Sequence, residues 1–93
     1  MKTPKEKKAK KVTFSLLAPQ AKNVSVGGSF NEWNPDSHPM KKDKKGFWKV
    51  SIPLSPGTYQ YRFFADGVWE NDPECTCMTE NPFGTLNCIL VVE

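Results

Sequence analysis

One histidine, three cysteines and no extended apolar run in 93 residues each remove a class of function. A nucleophilic Ser-His-Asp or Cys-His centre would have to be built on His38, which sits in a loop between Pro35 and Pro39. Cys75, Cys77 and Cys88 are odd in number and too few for the disulfide scaffold of a small secreted domain. With His38 they could make up a Cys3His zinc set. The single residue between Cys75 and Cys77 is shorter than the gap of a zinc knuckle, however, and His38 is remote in sequence. Reduced thiols without metal or other cofactor are expected, with the pairing of Cys88 to Cys75 or to Cys77 left open. No stretch approaches the ~20 apolar residues that span a bilayer. The lysine-rich start has no apolar segment behind it, unlike a secretory signal, so a cytoplasmic protein with no membrane partner is expected. Gly27-Gly28 lacks the lysine and following helix of a phosphate loop. Glu70, Asp72 and Glu74 crowd into one short polar connection, which suits a solvated turn better than a glycosidase pair. No catalytic residue and no enzyme activity are expected.

What is present is a modest core and an uneven charge. Hydrophobic residues make up 38% and charged residues 25%, the balance of one small globular domain. The net charge of +3 is local. Six lysines against Glu6 give residues 1–11 a charge of +5 and leave the remainder at −2. The expected organisation is a disordered basic leader over 1–11 and one folded domain over 12–93. A folded part that is mildly acidic is a poor tracker of phosphates, so nucleic acid is not an expected partner.

No segment carries apolar residues at helical spacing, and eight prolines punctuate the chain. Strand patterns of period two recur instead, at Val12–Leu16, Asn23–Val26, Phe47–Leu54, Tyr59–Ala65, Val68–Glu70 and Cys88–Val92. Lys41–Gly46, Ser55–Gly57 and Asp66-Gly67 read as turns between them. Such spacing predicts an antiparallel β-sandwich. Trp48 alternates with Val50 and Ile52 and belongs to the core. In the central strand, Tyr59, Tyr61, Phe63 and Ala65 share one face while Gln60, Arg62, Phe64 and Asp66 share the other. Arg62 and the post-turn Trp69 can therefore share an outward surface. Trp33 sits in the polar loop Gly27–Pro35. An indole offers a broad apolar face at little entropic cost, which suits the C–H face of a pyranose ring. Paired sugar hydroxyls call for a forked donor such as Arg62 and an amide such as Asn87.

Four runs occur in order: Val24–Trp33 (VSVGGSFNEW), Tyr59–Trp69 (YQYRFFADGVW), Asp72-Pro73, and Asn81–Asn87 (NPFGTLN). Over roughly residues 12–93 this set resembles carbohydrate-binding module family 48. That family includes the glycogen-binding domain of the AMP-activated protein kinase beta subunit and the N-terminal domains of glycogen-branching and debranching enzymes. The resemblance implies an immunoglobulin-like sandwich that binds α-1,4-linked glucan (glycogen, starch or maltodextrin) without catalysis. It assigns Trp33 and Trp69 to stacking on successive glucose units and Arg62, in place of the usual lysine, to sugar hydroxyls. Asn87 and its neighbour Thr85 become further contacts, and Phe83 the bulky residue that projects into the curve of the glucan. Cys88 stands where a second asparagine is common. The alternative implied is an interaction domain docking onto a glycogen-metabolising enzyme or kinase. Glucan binding requires both indoles open to solvent on one side of the molecule, angled toward a common ligand.

Overall fold

The computed structural model describes residues 9–93. Among them there is no helix. The strands run in chain order as β1 (Lys10–Leu17), β2 (Val24–Gly28), β3 (Lys41–Lys42), β4 (Phe47–Leu54), β5 (Gly57–Ala65), β6 (Val68–Glu70), β7 (Met78–Glu80) and β8 (Leu86–Val92). They form two antiparallel sheets, one ordered β1-β4-β3 and the other β2-β5-β8-β7 with β6 also paired to β5. The all-β sandwich predicted from alternation is the fold. Of the leader expected over 1–11, residues 1–8 lie outside the described residues. Lys10 and Lys11 already belong to β1, opposite Leu54 and Pro53.

Alternation puts one apolar row from each sheet into a shared layer. Phe14 and Leu16 of β1 and Trp48, Ile52 and Leu54 of β4 meet Val24 and Val26 of β2 and Tyr61, Phe63 and Ala65 of β5. The Phe14 ring meets Tyr61 edge-on, with centroids 5.1 Å apart and planes at 70°, so one aromatic pair ties the two sheets together. Trp48 is core as expected, and its indole N–H is satisfied at depth by donating to the Ala18 carbonyl at 2.8 Å. Burial of Tyr61, with its phenol donating to Asp72 at 2.7 Å, holds that hydroxyl protonated well above the usual tyrosine range. All three cysteines are free thiols. Cys88 is completely buried in β8, and burial, followed by its contact with the Cys75 thiol, pushes its pKa up to about 12. It is therefore an uncharged packing group at neutral pH.

Two strands lie where turns or loops were expected. Lys41 and Lys42 pair with Lys49 and Trp48 as the short edge strand β3, so the charged turn is confined to the residues that follow. An edge this short, made of lysine, resists pairing with a foreign strand. Met78–Glu80 forms β7 along Cys88–Leu86. Three residues hold too few alternations for a period to register.

Strand β5 organises the larger sheet. Along one edge it pairs with β2, from Val24↔Ala65 to Gly28↔Tyr61. Its other edge is divided. Gly57–Tyr61 pair with β8 and Phe63–Ala65 pair with β6, which leaves Arg62 at the junction of the two partners. Strand β2 is buried along its whole length because its outer face is covered too: Ser25 bridges to Pro39, and Gly27 lies under Trp69. Charge also divides between the sheets. Every described lysine lies within residues 10–22 or 41–49, on and around the three-stranded sheet, and every described carboxylate except Asp43 lies elsewhere.

Phe63 has no exposed surface, whereas Val91 in β8 is 58% exposed. Phe63→Ala is expected to cost about 3–5 kcal/mol and Val91→Ala no more than about 0.5 kcal/mol. Urea unfolding of both variants checks this, and equal midpoints would contradict the two-layer core.

Candidate functional site

At the junction on β5 lies a groove of about 640 Å³, lined by Trp33, Arg62, Trp69, Phe83, Thr85 and Asn87 together with Asn81 and Pro82. All six residues singled out in the sequence converge there, from three separate segments of the chain.

Trp69 reaches the groove from β6, opposite Phe64. Its ring packs on Phe64, with centroids 4.8 Å apart, and its far edge lies over Gly27. A Cβ on Gly27 would fall 2.6 Å from the indole Cη2 and 2.9 Å from Cζ3, so glycine at this point of β2 is what lets the ring lie down on the sheet. The next glycine is equally constrained. A Cβ on Gly28 would sit 2.4 Å from the Gln60 carbonyl and 2.6 Å from the Phe30 ring.

Trp33 is presented by backbone that ordinary residues avoid. Glu32 and Trp33 have φ of 57° and 60°, two consecutive left-handed residues with side chains, at a cost of roughly 1–2 kcal/mol each. Asn31 over-determines this turn. Its Oδ1 accepts from the Gly28 amide at 3.0 Å, and its Nδ2 donates to the Val26 carbonyl at 3.2 Å and to His38 Nδ1 at 2.9 Å. The Trp33 amide adds a bond to the Gly28 carbonyl at 2.9 Å. Such strain is characteristic of sites where a side chain must point in a set direction. His38 thus spends Nδ1 as an acceptor inside the loop.

The two indoles meet edge to face, with centroids 6.0 Å apart and planes at 73°. Both are half-buried, not fully open as the sequence reading required. They are on the same side of the molecule and angled to one another. Burial of one edge of each ring is the cost of holding it still.

Arg62 is fixed by its neighbours at the junction. Nε donates to Asn71 Oδ1 at 2.7 Å, Nη1 to Thr85 Oγ1 at 3.4 Å and Nη2 to the Trp69 carbonyl at 3.5 Å. Three of the five guanidinium N–H groups are committed, leaving two for a ligand in the groove. Across from it stands the turn that begins at Asn81. The Asn81 Oδ1 accepts from the amides of Phe83 at 3.0 Å and Thr85 at 3.1 Å, and its Nδ2 donates to Thr85 Oγ1 at 2.7 Å and Asn87 Oδ1 at 2.9 Å. Phe83 is carried on the tip of this turn, 88% exposed. Asn87 is only 5% exposed and donates to Gln60 Oε1 at 3.0 Å. It is therefore a buried link in an Asn81–Asn87–Gln60 chain that still lines the groove, with one N–H left over. Asn81 was not among the residues singled out. An asparagine followed three residues later by glycine, in Asn81-Pro82-Phe83-Gly84, is the signature of a side-chain-closed turn and could have found it.

Among the described residues the groove lining has no carboxylate, histidine or thiol. It offers two aromatic faces, an exposed phenyl ring, unspent guanidinium donors and a threonine hydroxyl whose oxygen already accepts two bonds. That is equipment for holding a neutral, hydroxyl-bearing ligand with apolar ring faces.

Residues 11–93 match the family described as the glycogen recognition site of AMP-activated protein kinase. The chain is also similar to the 1,4-alpha-glucan branching enzyme GlgB of Paraburkholderia xenovorans, 38% identical over 89 residues that cover 88% of this chain and 12% of that enzyme. The GlgB of Deinococcus radiodurans is 35% identical over 75 residues, 81% of this chain and 10% of the enzyme. The GlgB of Bacillus cytotoxicus is 35% identical over 88 residues, 88% and 14% respectively. The chain thus spans between 10% and 14% of the length of these relatives.

Gly27→Ala is expected to lift the Trp69 ring off β2 and leave the sheets intact. Near-ultraviolet circular dichroism should lose the signal of the Trp33–Trp69 pair while the far-ultraviolet spectrum is retained. An unchanged near-ultraviolet spectrum would show that the ring does not depend on that glycine.

Proposed function

Since this chain belongs to the family described as the glycogen recognition site of AMP-activated protein kinase, we propose that it binds α-1,4-linked glucan non-catalytically. The ligand stacks across Trp33 and Trp69 in the groove at the β5 junction. The observation that carries this reading is the meeting of both indoles with Arg62 in one apolar groove whose remaining donors are unspent. Two rings at 73° present faces that a straight chain cannot cover together, and a bent one can. Arg62 donates to hydroxyls at the edge of a stacked ring, Thr85 adds a polar contact, and Phe83 on its exposed turn closes over the far side. Asn87 acts through Asn81, holding that turn at the height of the indoles.

An open groove with few desolvated polar contacts yields affinities on the order of micromolar to millimolar. A second reading, docking onto a glycogen-metabolising enzyme or kinase, is favoured by one observation: the relatives are enzymes in which the matching region is a small part. Glucan held in the groove leaves the opposite three-stranded sheet free for such a partner. The two readings are compatible.

Calorimetric titration with β-cyclodextrin is the direct test. Trp33→Ala and Trp69→Ala should each weaken binding at least tenfold, or about 1.4 kcal/mol. Leu17→Ala, on the other sheet, should leave affinity unchanged. Full affinity in both tryptophan variants would refute the site. Arg62→Lys keeps the charge and loses the planar fork, and should weaken binding about threefold to tenfold by the same assay.

A further inference from the structure

Two residues along β5 from Arg62, Phe64 occupies the same face of the sheet and packs against Trp69. Beside it lies a second cavity of about 300 Å³, walled by Ser25, Pro35, Met40 and Phe64 and by the two carboxylates Asp36 and Asp66. We propose that this cavity is a second sugar subsite, taking a further glucose of an α-glucan already seated on Trp33 and Trp69. The proposal rests on the glucan reading above and deepens it.

The chemistry of the walls singles out Asp36. Asp66 is spent internally: its carboxylate accepts from the amides of Lys22 and Asn23 at 2.9 and 2.8 Å and so pins the hairpin tip. The Asp36 carboxylate is exposed and accepts no hydrogen bond among the described residues, although its amide is held by Asn34 Oδ1 at 2.8 Å. Its backbone is thus fixed and its oxygens are free. A carboxylate is an acceptor with two parallel oxygens, the complement of two vicinal sugar hydroxyls. Ser25, only 7% exposed and opposite Phe64 across the strand pair, adds a hydroxyl with no partner among the described residues. Phe64 and Pro35 supply the apolar surface for a ring face.

Placement supports the same ligand. Asp36 is three residues from Trp33 in one tightly hydrogen-bonded loop, with Asn34 donating to Asn31 and Ser37 to Asn34. The Trp33, Trp69 and Phe64 rings are in contact as a row, at 6.0 and 4.8 Å between centroids. Groove and cavity therefore flank one aromatic ridge, donors from Arg62 on one side and acceptors from Asp36 on the other. Sugar hydroxyls serve both, and a chain laid over the ridge reaches both.

The test is a chain-length comparison by calorimetry, with maltotriose and maltoheptaose as probes on wild type, Asp36→Ala and Asp36→Asn. Wild type should bind maltoheptaose about tenfold more tightly than maltotriose. Both variants should keep the wild-type affinity for maltotriose and cut the preference to about twofold. In amide-resolved NMR, Ser25, Asp36 and Gly67 should shift with maltoheptaose and not with maltotriose. A preference that survives in both variants, or shifts confined to the groove, overturns the subsite. The two readings fail separately. If wild type binds neither sugar, the glucan reading falls and the subsite with it. If maltotriose binds and depends on Trp69 while the preference ignores Asp36, the subsite alone falls.

Discussion

Strand β5 can pair with only one partner at a time on each edge, and on one edge it changes partner at Arg62. The rest of the site follows from that constraint. Where β8 stops and β6 begins, Asn87 and Asn71 come to the level of Arg62 from opposite directions. Asn71 takes the guanidinium Nε, and Asn87 joins the network behind Thr85. The same junction aims Trp69 across the sheet toward β2, where a residue without a side chain receives it. The groove is thus a seam in the hydrogen-bonded framework, floored by sheet and walled by two loops.

The walls are built by one device used twice. Asn31 closes the Gly28–Asn34 loop and Asn81 closes the Asn81–Thr85 turn, each amide accepting from backbone N–H groups and donating to its surroundings. An asparagine satisfies a turn from inside at small entropic cost, and it tolerates the company of left-handed backbone. Asn31 lies outside the groove lining, and Asn81, which is part of it, has both ends of its amide bonded within its own turn and to Asn87. Both decide where Trp33 and Phe83 stand.

Long periodic segments were legible in the sequence. Phe47–Leu54 occupies its expected bounds, and the inward and outward rows of the central strand are as alternation required. The three-residue Val68–Glu70 was legible only because the Asp66-Gly67 turn announces a return strand. Strand β1 begins two residues earlier than expected, because pairing with the end of β4 outweighs the poor strand preference of Lys10 and Lys11. β3 and β7 were not legible: each exists by virtue of the neighbour it pairs with, and short segments show no pattern of their own. At the site, the convergence of six residues was readable from the order of motifs. The burial of Asn87 and the half-buried setting of the indoles were not, since both arise from contacts between segments far apart in the chain. Asp36 and Ser25 lie in stretches whose sequence is that of an ordinary loop and an ordinary strand.

The paired left-handed residues Glu32 and Trp33 carry a thermodynamic consequence. Their unfavourable backbone energy is settled when the domain folds, as part of its stability, before any ligand arrives. The Trp33 ring then has little rotational freedom left to surrender, and the same holds for Trp69 pressed against Gly27 and Phe64. Under the glucan reading proposed above, association avoids most of the ordering penalty that flexible recognition loops incur. What limits the grip of such a surface is how little area it can cover, and lengthening the ligand is the direct way to strengthen it.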